Sequence, residues 1–396
     1  MSLPNGWKKV KLGDVATISS GSTPLRSNKA YFDNGNMPWV KTMDLTNGKI
    51  TKTDECITEL AAKKCKPYPT GTVLVAMYGG FNQIGRTGLL TFPASINQAL
   101  AALQFDKDIC SEYVLFYLNA NVDRWRSCAA SSRKDPNITS HDVEKFKIVL
   151  PPLEEQKKIA ATLSVWDSAI EKMEKLIDAK ENHFNQLMNK LIVINSSNSK
   201  WNTFALKNVF EVVNRKNKNG NTNILTSSAQ YGLVNQQEYY KKKIASSNTS
   251  GYYLLKKGDF AYNRSYSTGY PYGVVKRLDK YELGVLSTLY LCFSLKKEYQ
   301  SYSDFFVFLF ESGYLNNQLA LICREGARNH GLLNVSKEDF FNMKVQLPNE
   351  KEQQSIVCIL HNHSLELSLL KQQLENYKKQ KQGLMQKLLT GQWRVK

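Results

Sequence analysis

Between residues 153 and 194, apolar side chains recur at Ile159, Leu163, Trp166, Ile170, Met173 and Ile177, and the series resumes at Phe184, Leu187, Met188 and Leu191. Steps of four and three alternate, which sets the apolar positions along one stripe of a helix that pairs along a seam. Pro151 and Pro152 stand at the entry, where a missing N–H has no helical partner to lose. Glu154 and Glu155 suit the positive end of the helix dipole. A second stretch with the same plan starts at Pro348 and stops at "TGQW", Thr390–Trp393. Neither stretch has an internal proline, and each is expected to form a helix of about 40 residues, roughly 60 Å long. His363, Lys378, Lys379 and Lys381 interrupt the second stripe, so pairing there is expected to be imperfect or assisted by a partner.

The two helices open on related words, "LPPLEEQKKIAATL" at Leu150–Leu163 and "LPNEKEQQSIVCIL" at Leu347–Leu360, offset by 197 residues without a gap. Glu155-Gln156 matches Glu352-Gln353, and Ile159 and Leu163 match Ile356 and Leu360. Ile170, Met173 and Ile177 match Leu367, Leu370 and Leu374, and "QLMNKL" (Gln186–Leu191) matches "GLMQKL" (Gly383–Leu388). Upstream, Asn137-Ile138-Thr139 matches Asn334-Val335-Ser336, and more loosely Trp7, Leu12 and Val15 align with Trp201, Leu206 and Val209. A repeat of this length is an internal duplication, and two matching half-seams in one chain can pair with each other.

The segments preceding the helices read as mixed α/β. "GTVLVAMY" (Gly71–Tyr78) and "KGDFAYNRS" (Lys257–Ser265) are Gly-led turns entering buried strands. Ser111–Ser127 and Tyr302–Ala320 read as helices, and "KFKIVLPP" and "NMKVQLPN" as last strands that end at the proline opening each long helix.

Charge sharpens this layout. The chain of 396 residues has 53 basic and 35 acidic side chains, a net +18, which points to a polyanionic partner. Residues 1–149 carry 19 basic and 13 acidic side chains, residues 201–345 carry 19 and 11, and residues 150–200 are balanced at 7 and 7. Two basic bodies thus flank a neutral spacer. No run approaches the ~18 apolar residues of a membrane span, and "MSLPNGWKKVK" lacks the apolar core of a signal peptide; a cytoplasmic location is expected. The seven cysteines form no C-x-x-C pair and read as buried free thiols, and the five scattered histidines give no metal site.

Catalytic signatures are lacking. Gly80–Thr87, "GFNQIGRT", approaches the phosphate-loop pattern, but Arg86 replaces its lysine and "GLLTFPAS" follows where a helix should begin. It reads as a Gly-rich turn between strands. Acidic residues at 154, 155, 171, 174, 178 and 181 are the solvated face of a paired helix rather than a metal-binding carboxylate cluster. The chain is read as no enzyme, with no cofactor and no metal.

The plan resembles the specificity (S) subunits of type I restriction–modification systems, and so do "GWKKVKLGDVATISSGSTP" (Gly6–Pro24), "MPWVKTMDL" (Met37–Leu45), "SINQAL" (Ser95–Leu100), "LPPLEEQKKIA", "KKGDFAYNRS" and "LMQKLLTGQ". The resemblance covers essentially the whole chain. It implies an α+β protein with two α/β target recognition domains, 1–150 and 201–347, separated by two long antiparallel coiled-coil helices. These are 151–194, followed by a linker at 195–200, and 348–396 with the C-terminal tail. It further implies that each domain reads one half of a split site in double-stranded DNA, that two methyltransferase subunits dock on the chain, and that ATP-dependent restriction subunits join through that complex. The duplicated "QLMNKL" and "GLMQKL" ends are expected in the docking surface. Because the two bodies differ in sequence, the site should be asymmetric rather than palindromic. The competing readings are a coiled-coil RNA-binding or DNA-organising protein and, further off, a nuclease.

DNA contacts are expected from Lys and Arg on phosphates, and from Arg, Asn, Gln, Ser and Tyr on loops facing a groove. In the first body the candidates are Ser22, Thr23, Arg26, Lys41, Tyr78, Asn82, Gln83 and Arg86, with Ser131, Ser132, Arg133 and Lys134. In the second they are Asn214, Arg215, Lys216, Asn263, Arg264, Tyr266 and Tyr270, with Arg324, Arg328, Asn329 and His330. The "SSRKDPN" and "REGARNHG" loops and the turns at Arg86 and Arg264 rank first. Trp39 and Tyr31 read as core.

Overall fold

The computed structural model describes residues 3–129, 137–197, 200–228, 231–240, 249–266, 269–323 and 333–395. The chain forms two compact units, Met1–Glu174 with Gln372–Lys396, and Lys175–Lys371. Each unit therefore holds one α/β body and a portion of both long helices.

In the first unit a five-stranded sheet runs in the order Ala16–Ser20, Leu100–Phe105, Val73–Ala76, Thr87–Leu90, Gly48–Ile50, with only the last pair parallel. "VLVA" and "TGLL" are buried at every position, as strands covered on both faces must be. A three-stranded sheet, Cys56–Ile57, Met37–Val40 and Ser95–Ile96, stands beside it. The expected helix at Ser111–Ser127 is two, Ser111–Ala120 and Val122–Cys128. Asn121 leaves helical geometry and its side-chain amide caps the Tyr117 carbonyl at 2.8 Å.

The second unit is built on a four-stranded antiparallel sheet, Phe210–Val212, Leu291–Leu295, Phe260–Asn263, Val274–Arg277. Its core is rich in phenylalanine: Phe210 meets Phe306 at 4.8 Å and Phe293 at 5.0 Å, both edge to face. Here too the expected helix Tyr302–Ala320 divides, into Ser303–Glu311 and Asn316–Ile322, because Gly313 turns the chain at φ +73°.

The duplication is visible in individual hydrogen bonds. Lys8–Lys11 pairs with Lys147–Leu150, and Asn202–Ala205 with Lys344–Leu347, both antiparallel. Trp7 Nε1 donates to Glu155 and Trp201 Nε1 to Glu352, each at 3.1 Å. Leu12 N donates to Phe146 O and Leu206 N to Met343 O, each at 2.9 Å. Thr139 caps a helix with Asp142, as Ser336 does with Asp339.

The first long helix is α-helical over Leu153–Met188, then widens to π winding over Asn189–Ile194 and ends in a 3-10 turn at Asn195–Ser197. Successive β-branched residues Ile192, Val193 and Ile194 crowd a regular α-turn, and Met188 and Ile192 are both buried in the second unit's core. The second long helix is Glu350–Leu389. Within each unit the helical segments run antiparallel. In the first, Trp166 meets Tyr377 edge to face at 5.9 Å, Lys378 pairs with Glu174 at 2.8 Å and Lys381 with Asp167. In the second, Lys180 pairs with Glu366 at 2.6 Å, Lys371 with Glu181 at 2.5 Å, and His183 and His363 meet at 5.6 Å. His363, Lys378 and Lys381 thus interrupt the apolar stripe but are answered across the seam.

The helix ends are committed elsewhere than expected. Leu388 and Leu389 sit in the first unit's core with Trp7, Leu12 and Leu163, and Met188 and Ile192 in the second's with Trp201, Leu206 and Leu360. The apolar positions of "QLMNKL" and "GLMQKL" thus pack within their own units, while Gln186, Asn189, Lys190, Gln386 and Lys387 stay exposed. Nor are the cysteines uniformly buried: Cys65 and Cys292 are, whereas Cys128 and Cys358 are exposed. Among the described residues no helix is long and apolar enough to cross a membrane.

Candidate nucleic-acid interface

In the first unit the Gly80–Thr87 turn leads from strand Val73–Ala76 directly into strand Thr87–Leu90, so a strand follows it where a phosphate loop would open a helix. Gly79, Gly80 and Gly85 all have positive φ. A side chain on Gly85 would place its Cβ 2.5 Å from Trp125 Cδ1. Tyr78 and Asn82 are exposed on this turn, and Gln83 Nε2 lies 3.5 Å from Met43 Sδ. Arg86 is half-buried, and among the described residues no hydrogen bond or ion pair holds its side chain.

Arg26 and Lys41 converge on Glu55, Lys41 at 3.0 Å, while the Arg26 guanidinium covers Phe32 at 4.6 Å and Trp39 at 4.8 Å. The Arg26 hydrogen bond, ahead of Lys41, holds the Glu55 carboxyl below the usual carboxylate range against the opposing effect of burial. Two candidate cations thus share the Glu55 carboxylate, and Asp44 accepts from the backbone N–H of Lys41 at 2.7 Å and of Asp54 at 3.2 Å. Lys41 is two residues from Met43, which Gln83 meets, so the Glu55 cluster and the exposed turn are linked through the Thr42–Asp44 segment. Ser22 is exposed and Thr23 half-buried, and Ser22 O accepts from Trp39 Nε1 at 3.3 Å. Trp39 and Tyr31 are core, as expected.

The second unit uses its candidates differently. Arg264 donates to Leu289 O at 2.9 and 3.2 Å and to Val335 O at 3.2 Å. Arg215 reaches Leu254 O at 3.3 Å and pairs with Asp259, whose carboxyl burial nonetheless pushes above its ordinary range. Lys216 donates to Gly251 O at 2.9 Å and lies 3.9 Å over the Tyr253 ring. The Tyr270 hydroxyl donates to Glu311, which also accepts from Lys276 at 2.6 Å. These four candidates are internal ties in the described structure. Asn214 and Tyr266 are exposed, and Asn263 Oδ1 accepts from Ser265 N at 3.2 Å. Ser131, Ser132, Arg133, Lys134, Arg324, Arg328, Asn329 and His330 lie outside the described residues.

Sequence reasoning passed over exposed Met43 and Phe81 beside the first turn, and an aromatic group in the second unit. Tyr231 and Tyr239 meet at 6.4 Å, Tyr239 and Tyr240 at 4.8 Å, and all three are exposed. The signal was present in "YGLVNQQEYY", where three tyrosines in ten residues are separated by few apolar positions that would bury them.

A sequence profile of the type I restriction modification DNA specificity domain matches the chain twice, over residues 4–182 and 198–378. The chain belongs to this family. It is a specificity subunit, and such subunits are the non-catalytic DNA-recognition members of type I restriction enzymes. The MjaVIII specificity subunit of Methanocaldococcus jannaschii is 23% identical over 429 aligned positions, spanning 100% of this chain and 95% of that protein. The MjaIX specificity subunit of the same organism is 29% identical over 180 positions, but the match spans only 44% of this chain and 40% of that protein. In fold, the specificity subunit matches the crystal structure of the type I S subunit from M. genitalium with a TM-score of 0.58 at 15% identity, over 98% of each chain.

Proposed function

We propose that this specificity subunit reads a split, asymmetric site in duplex DNA, each α/β body taking one half, and that its long helices fix the separation of the halves. The target recognition domains are 1–150 and 201–347; the spacer helices are 151–194 and 348–396, with 195–200 as linker. The observation that carries this reading is the pairing of repeated scaffold with unrepeated loops. The Trp–Glu and closing-strand contacts recur in both bodies, while Arg86 and Arg264 are used in opposite ways. A repeated scaffold presents two readers in equivalent fashion, and different loops make the halves differ.

The chain works in the cytoplasm with two methyltransferase subunits, and ATP-dependent restriction subunits join through them. With the apolar positions of the duplicated helix ends packed inward, docking falls to the exposed polar residues of those ends and to outward helix positions such as Val165 in the first unit and Leu365 and Leu369 in the second. Binding-site selection from random duplexes tests the central reading. The expected product is two different short motifs at a fixed separation, on the order of one helical turn. A palindrome, one uninterrupted motif, or no preference over random duplex would overturn it. Inserting one heptad into both central helices should lengthen the selected spacer and leave both half-sites unchanged.

A further inference from the structure

Resting on the DNA-reading assignment above, we propose that Phe81 is an apolar wedge that enters a base step within the half-site read by the first unit. Phe81 is 49% exposed, Tyr78 45% and Met43 66%, all on or beside one turn. Single exposed apolar side chains are ordinary; several on one turn and the segment beside it mark a contact surface.

The loop is built to hold that tip still. Gln83 N and Ile84 N donate to Gly80 O at 3.0 and 3.1 Å, Gly85 N donates to Ala76 O at 3.0 Å, and Ala76 N to Arg86 O at 2.8 Å. Arg126 Nε donates to Phe81 O at 3.3 Å from the helix behind, and Gly85 is pressed against Trp125. Such bonding fixes the backbone while about half of the Phe81 surface stays exposed.

The surroundings select duplex DNA as the occupant. On the same turn are Arg86, whose side chain has no partner among the described residues, and the amides of Asn82 and Gln83, and Gln83 Nε2 reaches Met43. An aromatic tip flanked by a cation and amides can unstack adjacent bases while the cation meets a neighbouring phosphate. Pyrimidine–purine steps open most readily, so the step is of that class. The motif that mimicked a phosphate loop thereby acquires a use that needs no nucleotide: its glycines shape a wedge.

The test uses the full chain and its selected duplex carrying 2-aminopurine at each position in turn, read by fluorescence, with affinity measured in parallel. In the wild type, fluorescence should rise at one step of one half-site. Phe81→Ala should abolish that rise and weaken specific binding by about tenfold or more, whereas Phe81→Trp should keep both. Because the side chain is half-exposed, thermal unfolding of Phe81→Ala should match wild type and separate a lost wedge from a lost fold. A rise that persists in Phe81→Ala, or unchanged affinity, overturns the wedge while leaving DNA reading in place. Wild-type chain with no preference for a split duplex overturns both. Intact DNA binding with lost co-purification of the methyltransferase subunit would make the tip a protein contact and also overturn the proposal.

Discussion

Arg86 in the first unit and Arg264 in the second stand on turns that follow the buried central strand of their sheets, yet they do opposite things. Arg264 satisfies two backbone carbonyls, Leu289 O and Val335 O, and so fastens its turn to distant segments of the body. Arg86 has no such partner among the described residues, and its turn is fastened instead by glycines, backbone hydrogen bonds and Trp125. A duplicated protein can therefore keep one scaffold and still exchange which side chain holds a loop and which is left for a ligand. A positive charge in a loop says little about binding until its partners are known.

The largest effect should come from the fastening of the first turn. Gly85→Val meets both a positive φ and the Trp125 ring, and should destabilise the first unit by about 3 kcal/mol, measured by chemical unfolding. Its second half-site preference should survive. Next, Arg264→Ala should cost about 1.5 kcal/mol of stability by removing its hydrogen bonds to Val335 O and to Leu289 O, whereas Arg86→Ala should change stability by less than about 0.5 kcal/mol. Arg86→Ala should instead weaken DNA binding and lower the slope of log affinity against log salt by about 1. Equal stability losses for the two variants would dissolve the contrast between the units.

A smaller effect tests the sameness of the scaffold. Trp7→Phe and Trp201→Phe each remove one hydrogen bond to the equivalent glutamate and should each cost about 1 kcal/mol. The smallest concerns Glu55, whose folded pKa lies below that of the unfolded chain. Its contribution is full at neutral pH and is lost as pH falls through the folded value, so wild type and Glu55→Gln should converge in stability only in acid. At neutral pH Glu55→Gln frees Arg26 and Lys41, and non-specific DNA affinity should rise.

The long helices and the repeat were legible because they rest on periodicity, which local residues carry. The Trp201–Glu352 contact was foreshadowed by its matching residues, although the offset alone did not reveal that they touch. Helix interruptions at Asn121 and Gly313 had local signals, an amide and a glycine, that the apolar run around them obscured. The π winding after Met188 had a local signal in the β-branched run Ile192–Ile194, but its other cause, Met188 and Ile192 both entering one core, was not legible. Least legible was the fate of each cation. Arg215 is neutralised by Asp259, 44 residues away, and Arg26 by Glu55, 29 residues away, pairings that no spacing announces.

The first body is discontinuous in sequence, and this governs when it can fold. Its core includes Leu388 and Leu389, and Arg394 grips Glu155 from the far end of the chain. During synthesis the core of the stretch up to Glu174 is completed only when residues 372–395 emerge, an interval of about 10 to 40 seconds at ordinary ribosome speeds. The second body, lying within Lys175–Lys371, has all its pieces first. The N-terminal reader is made first and finished last.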